Sequence, residues 1–182
     1  MIKEEVKMKS DIKGQVWVET VIYTLIALTI IGLFLSFAKP KIEEIQDKSI
    51  VEQSVVMLED INSVIISMIQ GGAGNQRAVE IGIKKGNLKV DSTNDQLVFT
   101  IEGRYTYTEP GESVQVGNIL ASTKKINRIS EVTLISNYSM YNITYNGGEE
   151  AKIISKSPVP YKLLILNKGT SGGKSLIDMT LS

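Results

Sequence analysis

Residues 13–38 read KGQVWVETVIYTLIALTIIGLFLSFA, and this stretch decides how the rest of the chain is interpreted. It carries no charged side chain from Thr20 to Ala38, and its one acid, Glu19, lies near the start. A helix needs roughly 20 mostly apolar residues to cross the hydrocarbon core of a bilayer. We therefore predict an apolar helix over residues 15–38 that is long enough to span a membrane.

The segments on either side of this stretch differ from it in charge. Residues 1–14 are polar and contain four lysines, which favours a cytoplasmic N-terminal end. Lysines at 39, 41 and 48 weaken that bias. Pro40 is expected to kink or break the helix, because proline has no N–H and crowds the preceding turn.

Residues 41–70 keep a helical pattern and predict an amphipathic continuation of the helix. The apolar face comprises Ile42, Ile45, Val51, Val55, Leu58, Ile65 and Ile69, with Asn62 in one place of the series. The polar side comprises Glu43, Glu44, Asp47, Lys48, Glu52, Glu59 and Asp60. Glycines at 71, 72 and 74 are expected to end the helix and make residues 71–76 a linker.

From residue 77 the apolar residues alternate with a period of two. Such runs occur at 79–83, 88–90 and 97–101, and further strand-like runs cover 132–135, 140–145, 161–166 and 176–181. Asn146-Gly147 is a strong signal for a tight hairpin turn. We predict an α+β protein, in which a long N-terminal hydrophobic and amphipathic helix precedes an antiparallel, sandwich-like β domain over residues 77–182.

The composition excludes several classes of function. The chain has no histidine and no cysteine, which removes the commonest general base, the usual zinc ligands and disulfides. Net charge is zero and no basic cluster occurs, so we expect no nucleic-acid partner. We predict no enzyme activity, no catalytic residues, no metal and no cofactor.

Several local motifs have ordinary structural explanations. Residues 169–175 read GTSGGKS, one residue short of a phosphate-binding loop, and are expected to form a hairpin loop. Asp91, Asn94 and Asp95 miss the calcium-loop spacing and are expected to form a polar turn. The tyrosines at 105, 107, 138, 141 and 145 could form a sugar-binding patch, although packing is favoured.

Two N-x-S/T sequences mark candidate glycosylation sites. They are Asn137-Tyr138-Ser139 and Asn142-Ile143-Thr144. Either asparagine could accept a glycan on an exposed surface, and simple turn and strand polarity is the alternative.

Lys13-Gly14-Gln15 followed by Glu19 resembles the processing site of the type IV pilin superfamily in its archaeal form. The resemblance implies a class III signal peptide: residues 1–14 form a leader that a prepilin-type peptidase removes between Gly14 and Gln15. It implies further that the mature helix becomes the core of a cell-surface filament made of copies of itself. The other implied partners are an assembly ATPase, a membrane platform and, before assembly, lipid.

The chemistry of the mature end agrees with that expectation. Cleavage would leave a charged amine on Gln15 in an apolar setting, where Glu19 of a neighbouring subunit could pair with it. Removing one partner of a buried ion pair typically costs ~3–5 kcal/mol, so this pair would favour one packing register.

Other interpretations of the apolar stretch remain open. It could be a static membrane anchor, or a secretory signal cleaved after Ser36-Phe37-Ala38, or a buried core helix. The corresponding rival functions are a membrane-anchored extracellular binding protein that does not polymerise and a surface enzyme that uses carboxylates.

Overall fold

A computed structural model describes the backbone from Ile2 to Ser182 and the side chains from Val16 onward. Within this range the chain forms one α-helix and ten β-strands. It divides into two compact units, residues 1–42 and residues 43–182. The second unit contains the last part of the helix and every strand.

The helix, α1, spans Ile2–Gly71 and continues through Pro40 without interruption. The helix therefore does not break at this proline, and a kink there stays a prediction. The strands are β1 Gln76–Ile81, β2 Asn87–Asp91, β3 Gln96–Gly103, β4 Ser113–Val116, β5 Ile119–Ile126, β6 Ile129–Asn137, β7 Asn142–Tyr145, β8 Lys152–Ser155, β9 Tyr161–Ser171 and β10 Lys174–Leu181.

The strands form two sheets. One has four strands in the order β1-β9-β10-β7, and the other has six in the order β4-β5-β6-β3-β2-β8. Neighbouring strands are antiparallel except β7 and β10, which run parallel. The predicted α+β fold, a long helix followed by mainly antiparallel sheets, is confirmed.

Tight turns in the strand region form where the sequence places turn residues. Asn146 and Gly147 have φ angles of 50° and 75°, as a two-residue turn with positive φ at both positions requires. The flanking strands do not pair with each other, so the turn is tight but the expected hairpin is wrong: β7 pairs with β10, and β8 pairs with β2 in the other sheet. Gly172 and Gly173 form the turn that connects β9 to β10, so the expected hairpin is confirmed, although the other residues of 169–175 belong to its paired strands.

The second half of α1 shares one hydrophobic core with both sheets. Its buried apolar side chains are Val51, Val55, Leu58, Ile61, Ile65 and Met68. From β3 the inward-facing residues are Leu97, Phe99 and Ile101, at every second position as a strand with one buried face requires. Leu163 and Ile165 of β9 and Ile177 of β10 complete the core from the four-stranded sheet.

Two details of the predicted amphipathic helix are wrong. Ile42 and Ile45 are 54% and 67% exposed, because the helix face that packs against the sheets begins only near Val51. Asp47, which the pattern assigns to the solvent side, is 3% exposed. Its burial is possible because groups from the strand region satisfy its carboxylate.

The end of α1 is fixed by asparagine side chains. The Asn75 Nδ2 donates to the carbonyl oxygen of Gly71 (2.5 Å), and the Asn167 Nδ2 donates to that of Met68 (3.0 Å). Helix ends leave carbonyl groups without helical partners, and these bonds satisfy two of them, of which the Met68 carbonyl is buried. Asn167 lies in β9, so it ties the helix end to the four-stranded sheet.

Candidate functional site

The apolar segment of α1 is exposed along almost its whole length among the described side chains. Its most apolar 18-residue window is 0% buried, and large side chains such as Trp17 and Phe37 are 72% and 75% exposed. Residues 16–38 would span about 35 Å at roughly 1.5 Å per residue, slightly more than a hydrocarbon core of ~30 Å. Among the described residues, this is the one helix long and apolar enough to cross a membrane.

Three threonine hydroxyls within this segment are satisfied locally. The hydroxyls of Thr20, Thr24 and Thr29 donate to the carbonyl oxygens four residues earlier, at 2.8, 2.8 and 2.7 Å. A buried hydroxyl without a hydrogen bond is costly in an apolar medium, so these bonds make the helix surface compatible with lipid or with other helices. The threonines therefore do not require a polar environment.

The residues implied in processing lie at the start of this helix. At Gly14 and Gln15 the structure describes only the backbone, which is part of α1. Glu19 is exposed, one helical turn after position 15. Its position near the start of the apolar segment is compatible with a carboxylate that pairs with another subunit.

The helix is attached to the strand region by two acidic residues one turn apart. Asp47 accepts hydrogen bonds from the Lys85 Nζ (2.5 Å) and from the Arg104 backbone N–H (2.7 Å). Glu43 accepts from the Arg104 Nε at 2.5 Å. Gly103 contacts the Asp47 carboxylate so closely that a Cβ there would collide with it. These contacts fix where α1 joins the folded domain.

Two clefts lie beside this attachment. One, of about 320 Å³, is lined by Glu43, Gln46, Asp47, Ile50, Lys85, Glu102, Gly103, Arg104 and Ile129. The other, of about 530 Å³, is lined by Lys85, Gly86, Asn87, Thr100, Glu102, Ser155 and Lys156. The first cleft contains the ion pair of Lys85 with the buried carboxylate of Asp47, and this pair is explained by its role in attaching the helix.

The two glycosylation sequences lie at the β6–β7 connection and differ in accessibility. Asn137 is the last residue of β6 and is exposed, as is Ser139. Asn142 is the first residue of β7 and is half-buried, and Thr144 is 6% exposed. The middle residue of the first sequence, Tyr138, is buried in the core.

A buried carboxylate holds β7 against β10. Asp178 in β10 accepts hydrogen bonds from the Thr144 hydroxyl and the Gly147 N–H, both at 2.7 Å, and pairs with Lys168 at 2.6 Å. Burial alone would raise the pKa of Asp178. The hydrogen bonds from Lys168, Gly147 and Thr144 outweigh burial and lower the pKa below its ordinary value.

The polar turn between β2 and β3 is structural. Asp91 accepts hydrogen bonds from the Lys89 Nζ (2.6 Å) and the Asn94 Nδ2 (3.1 Å), and the bond from Lys89 lowers the pKa of Asp91. Among the described residues, no group of three acids, histidines or cysteines is arranged to hold a metal. The prediction of a polar turn is confirmed.

The tyrosines are divided between the core and its margin. Tyr138 is 2% exposed, and burial raises its pKa to about 12. Tyr105, Tyr107, Tyr141 and Tyr145 are partly buried and pack against the core, and the rings of Tyr105 and Tyr107 meet edge to face at 6.4 Å. The expectation of packing therefore accounts for all five.

Comparison with known proteins adds no relative. No protein-family model, curated protein or solved structure matches the chain.

Sequence patterns alone missed the residues that attach the helix to the sheets. Asp47 and Asn167 have their partners 38 and 99 residues away in the chain, at Lys85 and Met68. An acid among other acids on a helix carries no signal of burial. The sequence indicated a polar contact between helix and strands at one place, where Asn62 occupies an apolar position of the helix. Its Oδ1 accepts a hydrogen bond from the Asn118 Nδ2 at 2.9 Å.

Proposed function

We propose that this chain is a structural subunit of an archaeal type IV pilus-like surface filament, assembled through its N-terminal helix after leader cleavage. One observation carries the proposal: α1 combines an exposed apolar segment with a segment that packs into a folded domain. Residues 16–38 expose a continuous apolar surface, whereas residues 51–68 of the same helix are packed into the core of a β domain. Such a subunit has one end for apolar packing and one end that can remain in water.

The apolar surface must be buried by lipid or by protein. Burying one large aliphatic or aromatic side chain contributes ~1.5–3 kcal/mol relative to water, so exposure of more than ten of them is strongly unfavourable. Lipid is as apolar as leucine, so transfer from lipid into a helix bundle gains little from hydrophobicity. Packing and polar pairing must then select the filament over the membrane.

Glu19 supplies the polar pairing in this proposal. Cleavage between Gly14 and Gln15 creates an amine, and Glu19 of a neighbouring subunit accepts it in the bundle. Before cleavage this partner is absent, and the protein stays in the membrane as a single-pass protein. Afterwards the β domain coats the outside of the filament.

The implied partners follow from these steps. A prepilin-type peptidase cuts the leader, and an assembly ATPase with its membrane platform moves the subunit out of lipid. The chief partner is the chain itself, in a homopolymeric or mixed filament. The proposal includes no enzymatic activity and no cofactor.

Mass spectrometry of the mature N-terminus tests the proposal and its rivals together. A chain that starts at Gln15 supports the proposal, whereas a start at Lys39 indicates a secretory signal. An intact Met1 indicates a static anchor, as expected for a membrane-anchored binding protein that does not polymerise. A Gly14→Val variant is the matched control, because it should abolish cleavage at that bond without removing apolar length.

A further inference from the structure

We infer that Asn137, and not Asn142, is the site at which the folded protein accepts an N-linked glycan. The substrate class is a lipid-linked oligosaccharide, transferred by an oligosaccharyltransferase. This assignment does not depend on filament assembly, since it concerns the surface of the β domain alone.

The exposed face of the six-stranded sheet carries Asn137. In β6, side chains alternate between the core and solvent, and Leu134 and Ser136 are buried. Asn137 therefore shares the outer face with Ile135 and Thr133, and its partner across the strand pair is Gln96 in β3. A sugar on this face displaces no core side chain.

The local conformation presents both groups that the sequence motif requires. The Asn137 Oδ1 accepts a hydrogen bond from the Ser139 N–H at 2.8 Å, which makes an Asx turn. This hydrogen bond involves the Oδ1 atom of Asn137. The Nδ2 atom, which would receive the sugar, takes no part in it. Because N-x-S/T recognition requires a hydroxyl two residues on, the exposed position of Ser139 matters as much as that of Asn137.

Tyr138 holds this arrangement in place. Its side chain is buried, its N–H donates to the Asp95 carbonyl oxygen (2.8 Å), and its own carbonyl oxygen accepts from the Tyr141 N–H (2.7 Å). The middle of the sequence is thus anchored in the core while both flanking side chains remain in solvent.

The second sequence lacks this accessibility. The hydroxyl of Thr144 is 2.7 Å from the Asp178 Oδ1, to which it donates, and Asp178 is itself buried and paired with Lys168. Ile143, between the two recognised residues, is fully buried, and its N–H donates to the Asp95 Oδ1. A transferase can read Thr144 only if β7 separates from β10, which requires local unfolding.

The transfer itself is an ordinary substitution. The Asn137 Nδ2 attacks C1 of the first sugar, so an N–C bond forms and the bond from C1 to the lipid phosphate oxygen breaks. The lipid phosphate leaves, and one amide proton passes to a carboxylate of the transferase. No oxidant or reductant is required.

The test uses the purified folded chain in detergent, a single-subunit oligosaccharyltransferase and its lipid-linked oligosaccharide. Trypsin leaves both sequences in one peptide, residues 129–152, because no lysine or arginine lies between Arg128 and Lys152. Chymotryptic cleavage after Tyr138 and Tyr141 separates them for mass spectrometry. A synthetic peptide of residues 135–147 serves as the unfolded acceptor.

We expect the peptide to be modified at both asparagines and the folded chain at Asn137, with Asn142 at least about tenfold slower because of the local opening it needs. Asn137→Gln and Ser139→Ala should remove the glycan, whereas Ser139→Thr and Asn142→Gln should retain it. Modification of Asn142 in the folded chain at a rate equal to or above that of Asn137 would overturn the assignment. So would an unmodified Asn137 in a folded chain whose peptide is modified there.

Discussion

Asp47 is the residue that most directly ties the helix to the strands. Asp47→Ala removes a buried carboxylate that accepts from both the Lys85 Nζ and the partly buried Arg104 N–H. We expect a loss of ~1–3 kcal/mol in unfolding free energy, the usual cost of leaving a buried polar group unsatisfied. Urea unfolding of the full chain in detergent, followed by circular dichroism, measures it.

Glu43→Ala is the matched control for that variant. The Glu43–Arg104 pair is 39% and 45% exposed, and ion pairs in solvent contribute only ~0–1 kcal/mol. Equal losses from both variants would mean that Asp47 does not anchor the helix as its burial indicates.

Asp178 should make the stability of the domain depend on acid pH. Its pKa is lowered in the folded state, so the unfolded chain binds more protons between that lowered pKa and the ordinary value of 3.8. The stabilisation is therefore complete above the ordinary pKa and is lost as the pH falls through the folded pKa. In an Asp178→Asn variant, the difference in urea midpoint between pH 7 and pH 3 should be smaller.

Asp60→Asn is the control for the acid effect, because Asp60 is exposed on α1. This variant should keep the pH dependence of the unmodified chain. An Asp178→Asn variant with the same pH dependence as the unmodified chain would show that other carboxylates govern acid unfolding.

Glu19 is the residue on which selective assembly depends in the proposed filament. Glu19→Ala should still enter the membrane, because the apolar segment is unchanged, but filament yield should fall sharply for lack of the amine partner. Filament mass in the sheared fraction, relative to membrane-bound protein, is the readout. Glu150→Ala, which removes an exposed acid from the β domain, should assemble normally; a normal yield from Glu19→Ala would refute the pairing.

At the scale of secondary structure, α1 contains two segments with different roles. Deleting residues 1–42 removes the exposed apolar segment and leaves the six buried apolar side chains of the helix and Asp47. We expect the remaining chain to be soluble without detergent and to unfold cooperatively. Deleting residues 1–55 instead also removes Asp47, Val51 and Val55, and should give an unfolded or aggregated product. Aggregation of both fragments would contradict the division at residue 42.

The sequence predicted most strands but missed three. In β5 the inward positions include Ala121 and Thr123, which do not give the large apolar alternation that reveals β3 or β9. β4 and β8 have four residues each, too few for a period to be visible. Pairing of β7 with β10 was also out of reach, because it is held by Asp178 and Thr144, which are 34 residues apart in the chain.

The candidate sites were predictable to different degrees. The apolar segment follows from composition alone, because no other part of the chain offers comparable apolar length. The choice between Asn137 and Asn142 does not follow from the sequence, because the two motifs look alike until the burial of Thr144 is known. Cleavage after Gly14 and the pairing of Glu19 stay predictions from the resemblance.

At the scale of the whole molecule, an exposed apolar helix segment is followed in the chain by a folded domain with its own hydrophobic core. Side chains of the domain's own helix and strands bury its core, whereas residues 16–38 are exposed along almost their whole length. Lipid can supply that covering, and in the proposed filament copies of the same helix would supply it instead. The central claim is that these copies are the final environment of the helix.

Cryo-electron microscopy of material sheared from cells that produce the protein tests this claim most directly. The account predicts filaments in which residues 16–38 of neighbouring subunits pack together at the centre and each chain begins at Gln15. It would be contradicted if the protein were found only in the membrane fraction, as single full-length chains whose apolar helix is surrounded by lipid.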